Sequence, residues 1–273
     1  MQPNPDRVTK AAQRPRTVQS VIHATTLLQV IAHARGPLSL SRLARAVGLS
    51  KPATYNLLGT LMALHLLRRD AAGQYLPDWG LYEIGVRVAD IEPLRDSARM
   101  PLRELARQVH GAVLLSVLHG NHVLYVDRAE DSVGFTMVAD IGIRSPLHTT
   151  ASGKVLLAAM SDHVLGGHLQ RPLRAITPAT ITDPRMMLME IALTRDHGYG
   201  VSWGEQERDL SSVAVPLRGR DGSVCAVLAA AVPTADLQRI APSRMAGRLS
   251  GTAAMISSSW STSAPSSFKF CPD

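Results

Sequence analysis

The sequence contains no long apolar run. No segment holds 18 consecutive apolar residues, so an ordinary transmembrane helix is not predicted. Residues 1–16 are rich in Pro, Arg and Gln and lack the apolar core of a signal peptide, so we expect a cytoplasmic protein without a membrane partner. With 45% hydrophobic residues over 273 positions, the chain can bury a core and is long enough for two domains.

Residues that form disulfides or bind metals are also scarce. Cys225 and Cys271 are the only cysteines, too few for a disulfide framework or a thiolate metal site. Five histidines of the second half share no ligand spacing on a common helix: His119, His122, His148, His163 and His168. We therefore predict neither a metal centre nor a cofactor.

Sequence signatures of catalysis are missing as well. No G-x-S-x-G pattern occurs, so a typical hydrolase nucleophile has no candidate. Residues 151–154 (ASGK) resemble the end of a phosphate-binding P-loop, but His148 stands where its first glycine belongs. A small-molecule enzyme with an incidentally basic N-terminal part stays open only as the alternative interpretation.

Positive charge is divided unevenly along the chain. Residues 1–80 hold 10 Lys and Arg against 3 Asp and Glu, whereas the remaining residues hold 19 of each. The whole excess of +7 therefore lies in the first 80 residues. Such a segment suits a polyanionic partner, because neutralising phosphates releases their counterions.

Residues 39–64 have the pattern of a helix-turn-helix. Apolar side chains recur at helical spacing from Leu40 to Val47, a serine at 39 or 41 can cap this helix, and Gly48 lets the chain turn. Ser50 is placed to cap a second helix that has Pro52 in its first turn. An apolar stripe along this second helix is formed by Leu57, Leu58, Leu61 and Leu64.

The side of the second helix opposite this stripe is expected to enter the major groove of DNA. Asn56 lies on that side, and its amide suits an adenine edge. Residues 66–69 and 74–76 flank a turn at 70–73 and predict a hairpin with a basic first strand, the wing. The predicted DNA-binding residues are Ser50, Lys51, Pro52, Tyr55, Asn56, Arg68 and Arg69.

The pattern predicts an α+β protein of two domains. We expect a mobile basic arm (1–16), a winged helix-turn-helix (17–77), a linker helix (78–93), a second α/β domain (94–256) and a disordered Ser-rich tail (257–273). In the second domain we predict helices at 94–110, 151–160, 186–197 and 236–256, and mostly antiparallel strands at 112–118, 122–126, 133–139, 213–217 and 224–232.

Six blocks in this order carry a family resemblance. They are the helix-turn-helix with its wing (38–76), VLYVDR (123–128), IRSPLHTTASGKVLLAAM (143–160), ITDP (181–184), the segment ending TRDHGYGVSWGEQE (194–207) and SSVAVPLRGRDGSVCAVLAAAVP (211–233). Over residues 17–256 the chain resembles the IclR family of transcriptional regulators. The VAVPLR stretch leans towards the branch that regulates the catabolism of aromatic acids.

The resemblance implies a regulator that binds promoter DNA as a homodimer or dimer of dimers and has no enzymatic activity. It also implies a GAF-like or profilin-like second domain that binds a small organic acid. By position, the effector-binding residues would be Met137, Ala151, Ser152, Ser202, Leu210, Ser212, Ala229 and Ala231. Because the family often has small hydroxyl residues at the last two positions, we expect a drier wall here and a bulkier acid than the smallest keto acids.

Several of these residues admit a purely structural interpretation. Ser152 and the N–H groups of residues 151–154 can bind an anion at a helix start, or Ser152 only caps the helix and Lys154 is a solvated end. Ser212 is either a donor or a small residue at the start of a strand. Met137 is either a pocket wall or plain core. Glu205 is expected to hold an Arg or Lys rather than an acid ligand.

Overall fold

The structure, a computed structural model, describes residues 17–34, 36–91, 93–131 and 139–263. It divides into two compact units, Met1–Val88 and Ala89–Asp273. The boundary falls inside the helix that we predicted as a linker. The predicted arm at 1–16 lies outside the described residues. None of the described helices is both long enough and apolar enough to cross a bilayer.

The first unit is a winged helix-turn-helix. Its helices are α1 (Gln19–Ala32), α2 (Leu40–Val47) and α3 (Lys51–Ala63), and its wing is an antiparallel hairpin of β1 (Leu67–Arg69) and β2 (Tyr75–Pro77). Apolar side chains from the helices and the wing form one small core, which consists of Leu27, Ile31, Leu38, Leu43, Leu58, Leu61, Leu67 and Tyr75.

The residues predicted to begin and end these helices do so. Ser39 caps α2 by accepting a hydrogen bond from the backbone N–H of Arg42, and Gly48 ends α2 in the left-handed region at φ 67°. Ser50 caps α3 through the N–H of Ala53. Both caps are contacts between residues close in sequence, so a local pattern is sufficient to predict them.

The predicted apolar stripe of α3 is wrong at its last position. Leu58 and Leu61 are buried, but Leu64 is 61% exposed. Leu64 is the C-cap of α3, and the next residue, His65, has a φ of 56°, so the chain turns away from the core at this point. Thr54 is buried instead, one turn before Leu58, with its hydroxyl donating to a backbone carbonyl of the preceding turn.

The second unit follows α4 (Trp79–Ile91) and has α/β architecture. Its remaining helices are α5 (Pro93–Val109), α6 (Ala151–Ala159), α7 (Asp162–Leu169), α8 (Pro184–His197), α9 (Thr234–Ile240) and α10 (Pro242–Ser263). Its strands are β3 (Ala112–His119), β4 (His122–Glu130), β5 (Arg144–Pro146), β6 (Gly200–Glu207), β7 (Leu210–Arg218) and β8 (Val224–Pro233).

These strands form one sheet in the order β5-β4-β3-β8-β7-β6, with every neighbouring pair antiparallel. Helices α5, α9 and α10 contribute to the apolar core on one face, and α6, α7 and α8 to the core on the other. The central strands β3 and β8 are therefore covered on both faces. This explains why both read as nearly unbroken apolar runs.

The C-terminal part of the chain contradicts two predictions. The single helix predicted at 236–256 is two helices, because Ala241 has a φ of 69° and Pro242 starts a new helix. The predicted disordered tail is wrong over residues 257–263, which continue α10. Trp260 is 4% exposed and packs into the core formed with α5, so burial outweighs the weak helix preference of serine. Residues 264–273 lie outside the described part.

Three elements were missed by the sequence pattern: β5, α7 and β6. The first two are short, and β6 contains a polar stretch with a register shift between Trp203 and Glu207 that interrupts the alternation expected of a strand. The strand predicted at 133–139 falls almost entirely on residues 132–138, outside the described residues. Met137, a predicted effector contact, lies in that segment.

Candidate functional site

Helix α3 presents a polar, exposed face. Pro52, Tyr55 and Asn56 are exposed on it, whereas Leu58 and Leu61 point into the core of the unit. Lys51 and Ser50 at its start are also exposed. The Ser50 hydroxyl accepts the capping hydrogen bond and keeps its hydrogen to donate to another acceptor. Every predicted DNA-reading residue of α3 is thus accessible.

The wing is joined to α3 through Arg69. The Arg69 guanidinium lies 4.7 Å from the centre of the Tyr75 ring in β2 and 5.8 Å from that of Tyr55 in α3. Such cation–π contacts contribute roughly 0.5–1 kcal/mol each at exposed sites. Arg68, its neighbour, is exposed and makes no ion pair or hydrogen bond with the described residues. Arg68 is therefore an exposed cation without a described partner, and Arg69 a cation held against two rings.

In the second unit, the start of α6 approaches β6 closely. A Cβ atom at Gly200 would lie 2.7 Å from the carbonyl oxygen of Ala151, so only glycine allows this approach. Thr150 caps α6 by accepting a hydrogen bond from the N–H of Gly153. The interpretation of Ser152 as the cap is wrong, because Ser152 is the second helical residue. Ser152 is 2% exposed.

Strand β6 bends where it passes this helix. Gly204 has a φ of 63°, which suits glycine, and the strand register shifts between Trp203 and Glu207. The hydroxyls of Thr177 and Thr180, in the loop before α8, donate to the carbonyls of Gly204 and Glu205 at 2.7 Å each. The bulge is therefore hydrogen-bonded by a neighbouring loop.

A buried ion pair lies beneath the bulge. The Lys154 ammonium is fully buried and donates to the Glu205 carboxylate at 2.6 Å, to the Glu190 carboxylate at 3.1 Å and to the Val201 carbonyl at 2.8 Å. The prediction that Glu205 holds a cation is confirmed, and the interpretation of Lys154 as a solvated end is wrong. Burial raises the pKa of the Glu205 carboxyl, and the charge of Lys154 opposes this shift.

A cavity opens between the start of α6, the bulge of β6 and the sheet. Six of the eight predicted effector residues line it: Ser152, Ser202, Leu210, Ser212, Ala229 and Ala231. Strand register sets three of them in one row, because Ser202 pairs with Ser212, which pairs with Ala231. Ala151 is buried and does not belong to the lining, so its contact with the effector stays a prediction.

The sequence interpretation missed seven further lining residues: Leu114, Tyr125, Ala139, Thr150, Gln206, Glu207 and Ser211. Pairing explains some of them, since Leu114 lies opposite Ala229 in the next strand. Gln206 and Glu207 belong to the unpredicted end of β6, Tyr125 and Ser211 are strand positions, and Ala139 and Thr150 lie outside the strands. Strict alternation along β4 would have identified Tyr125 as facing the same side as Val123.

Some hydroxyl groups at the cavity already have a hydrogen-bond partner in the protein, and others do not. The Ser202 hydroxyl donates to the Thr149 carbonyl at 3.0 Å, and the Thr149 hydroxyl donates to Gln206 at 2.5 Å. Ser152 and Ser212 have no hydroxyl partner among the described residues. Two unbonded hydroxyls and the N-terminal end of α6 thus remain available to a ligand.

The charge of the lining comes from one carboxyl. Among the described residues that line the cavity, Glu207 is ionisable near neutral pH, and none is Lys, Arg or His. Burial raises the pKa of Glu207. Burial also raises the pKa of Tyr125, where a hydrogen bond with Ser145 opposes the shift and the charge of Glu207 adds to it. Across the described part of the chain, no group of three His, Cys, Asp or Glu residues is arranged to hold a metal ion.

Comparison with known sequence families matches both units. The IclR helix-turn-helix domain matches residues 20–71, and the "Bacterial transcriptional regulator IclR C-terminal" family matches residues 86–258. The chain belongs to the IclR family. The predicted fold class, a winged helix-turn-helix followed by an α/β effector-binding domain, is confirmed.

Curated relatives of this IclR-family chain are named transcriptional regulators, not enzymes. It is 31% identical to the HTH-type transcriptional regulator KipR of Bacillus subtilis over 209 residues, covering 76% of this chain and 83% of KipR. It is 30% identical to KdgR of Escherichia coli over 224 residues, covering 81% and 85% of the two chains. The alternative interpretation as an enzyme thus finds no support among these relatives.

Solved structures of IclR proteins share this fold. An IclR transcriptional regulator from Alicyclobacillus acidocaldarius superposes with a TM-score of 0.79 at 27% identity, covering 90% of this chain and all of that one. An IclR homolog from Microbacterium hydrocarbonoxydans, complexed with 4-hydroxybenzoate, gives the same TM-score at 24% identity and 89% coverage of this chain. The second match is evidence of fold alone.

Proposed function

We propose that this IclR-family protein is a ligand-responsive regulator that acts in the cytoplasm and controls a catabolic operon. It binds promoter DNA as a homodimer or dimer of dimers through α3 and the wing. A small organic acid, with aromatic acids as the favoured class, binds in the cavity beside α6 and changes the affinity for DNA. The observation that carries this proposal is that six of the residues assigned to the effector site by family resemblance line that one cavity.

DNA recognition is supported by the chemistry of α3 and the wing. Asn56 offers the amide that pairs with an adenine edge, and Tyr55 stands beside it on the exposed face. Lys51 and Arg68 supply cations for phosphates, while the hairpin carrying Arg69 is held against α3. Two such units would read half-sites about 34 Å apart, so a small rotation between them changes affinity for the operator.

An acid effector is supported by the donors around α6. Ser152 and Ser212 offer hydroxyls without a described partner, and the start of a helix carries a partial positive charge. Ala229 and Ala231 make the opposite strand wall apolar, which favours an organic acid with apolar surface over the smallest keto acids. Hydroxyl and backbone donors bind a ligand carboxylate through charge-assisted hydrogen bonds.

The DNA-binding half of the proposal is tested with promoter DNA from beside the protein's own gene. We expect the full chain to bind it more tightly than random DNA of equal length, with an affinity that falls steeply as salt rises. Asn56→Ala should lower the preference for the promoter over random DNA, because it removes a base contact. Arg68→Gln should weaken binding to both DNAs alike. Equal, salt-independent binding to both DNAs by the unaltered protein refutes the regulator function.

The effector half is tested by isothermal titration of the full chain with 4-hydroxybenzoate, benzoate, glyoxylate and pyruvate. We expect an aromatic acid to bind and to shift the DNA-binding midpoint, and Ser152→Ala with Ser212→Ala to weaken that binding. Exposed Ser258→Ala is the matched control, since this serine bonds only within α10. Tight binding of glyoxylate or pyruvate with no response to the aromatic acids contradicts the proposed effector class.

A further inference from the structure

Glu207 presents an unusual group to an acid-binding cavity. Its carboxylate lines the cavity, and no hydrogen bond or ion pair joins it to any residue that the structure describes. The other acidic side chain of this bulge, Glu205, points away to Lys154. Glu207 is therefore an acceptor that no described residue bonds, open to water or to a ligand.

Among the residues that the structure describes, no cation forms an ion pair with Glu207. Its neighbours Arg208 and Asp209 are exposed and do not line the cavity. The sheet contributes the phenol of Tyr125. The negative charge of Glu207 helps to raise the pKa of this phenol. Residues 132–138 carry no ionisable side chain in the sequence, so they add no charge of either sign.

The cavity therefore contains both hydrogen-bond donors and an ionisable hydrogen-bond acceptor. Ser152 and Ser212 can donate hydrogen bonds, as a ligand carboxylate needs. Glu207 can only accept while ionised, and a half-buried acceptor left without a donor costs free energy. An acid without a hydroxyl group accepts hydrogen bonds from the two serines, but its carboxylate repels the Glu207 carboxylate. An acid with a hydroxyl group can also donate a hydrogen bond to Glu207.

We propose that Glu207 selects the effector by accepting a hydrogen bond from a ligand hydroxyl, so that the natural effector is a hydroxylated carboxylic acid. This inference rests on the proposed acid-binding function of the same cavity and adds a second required group to it. The ligand hydroxyl keeps its proton, and no bond is made or broken. Glu207 acts as a specificity residue in binding.

Matched acids that differ by one hydroxyl test this selection. The full chain is titrated at pH 7.5, a pH chosen to keep Glu207 ionised, with 4-hydroxybenzoate against benzoate and with 3-hydroxybutyrate against butyrate. In at least one pair we expect the hydroxylated acid to bind roughly 10- to 100-fold more tightly, the value of a hydrogen bond to a charged group. Glu207→Met, which keeps the length but removes the acceptor, should reduce this ratio to about 1.

Two further variants make the result interpretable. Glu207→Gln keeps a neutral acceptor and should leave a ratio of roughly 2- to 10-fold, which tests the inference even if Glu207→Met does not fold. Asp209→Asn removes a nearby carboxylate that does not line the cavity and should leave the ratio unchanged. Thermal unfolding of each variant shows whether it is folded.

The possible outcomes distinguish a failure of this inference from a failure of the proposed acid-binding function. Equal binding of the two acids within both pairs keeps the acid site and overturns the role of Glu207. A hydroxyl preference that survives in Glu207→Met and Glu207→Gln also overturns it, because another group must then read the hydroxyl. If none of the four acids binds, the acid effector itself is refuted and this inference falls with it.

Discussion

Replacing Lys154 with methionine isolates the contribution of the buried ion pair. Methionine fills much of the same volume but leaves the Glu205 carboxylate, which is 3% exposed, without its cation. One Glu205 oxygen already lacks a partner among the described atoms, and the other would keep only the N–H of Trp203. Breaking a buried pair on one side costs roughly 3–5 kcal/mol of unfolding free energy.

For a unit of this size, such a loss lowers the unfolding midpoint by roughly 6–20 °C. Calorimetry on the full chain at pH 7 measures it, because the two compact units can unfold in separate transitions. Lys51→Met is the matched control, since Lys51 is exposed at the start of α3. It should leave the transition of the second unit unchanged while weakening DNA binding.

The double variant Lys154→Met with Glu205→Gln should recover most of the loss, because no uncompensated charge then remains in the core. The single variant should also depend on pH. Burial raises the pKa of Glu205 in the folded state, so the folded chain binds the proton more tightly than the unfolded chain. The loss of unfolding free energy in Lys154→Met therefore shrinks as pH falls and grows as pH rises towards that pKa. An unchanged midpoint, or a double variant no better than the single one, refutes this account.

Other predictions address distant parts of the molecule. Trp260→Ala should cost roughly 3–5 kcal/mol in urea unfolding, because the ring is 4% exposed; a loss below 1 kcal/mol would mean that the end of α10 is not part of the core. Arg69→Lys should weaken promoter binding roughly 2- to 5-fold with an unchanged salt slope, since the charge remains while the ring contacts weaken; an unchanged affinity would mean that the ring contacts do not contribute to DNA binding. Burial and the nearby Arg171 lower the pKa of His168, so acidification from pH 7 to 5 should destabilise the native protein, and His168→Gln should reduce that loss in a thermal melt.

The sequence was most informative where structure depends on near neighbours. Ser39, Gly48 and Ser50 define their helix ends by contacts within one turn, and the hairpin at 219–222 is a local signal as well. The failures occur where distant residues decide. Ser257–Ser263 has no helical pattern of its own, and it is helical because Trp260 packs against residues far away in the chain. Strand β6 was missed because its bulge depends on hydrogen bonds from the loop at 177–180.

The candidate site shows the same limit. Family resemblance found the residues on the strands and helix, of which Ser202, Ser212 and Ala231 form one row across the sheet. It did not find Glu207, because only the irregular end of β6 turns that side chain towards the cavity. It also could not distinguish a solvated Lys154 from a buried one, since that depends on Glu190 and Glu205, residues more than 30 positions away.

The bulge in β6 separates the residue that anchors this eight-residue strand from the residues that line the cavity. Glu205 anchors the strand through its ion pair with Lys154, while Ser202 and Glu207 line the cavity from the same short segment. Substitutions at the ligand-facing positions leave the anchor intact, so ligand preference can change without rebuilding the fold. A library randomised at positions 207 and 212, which are only partly buried, should therefore yield many folded proteins. Such a scaffold suits the engineering of transcriptional biosensors for new small molecules.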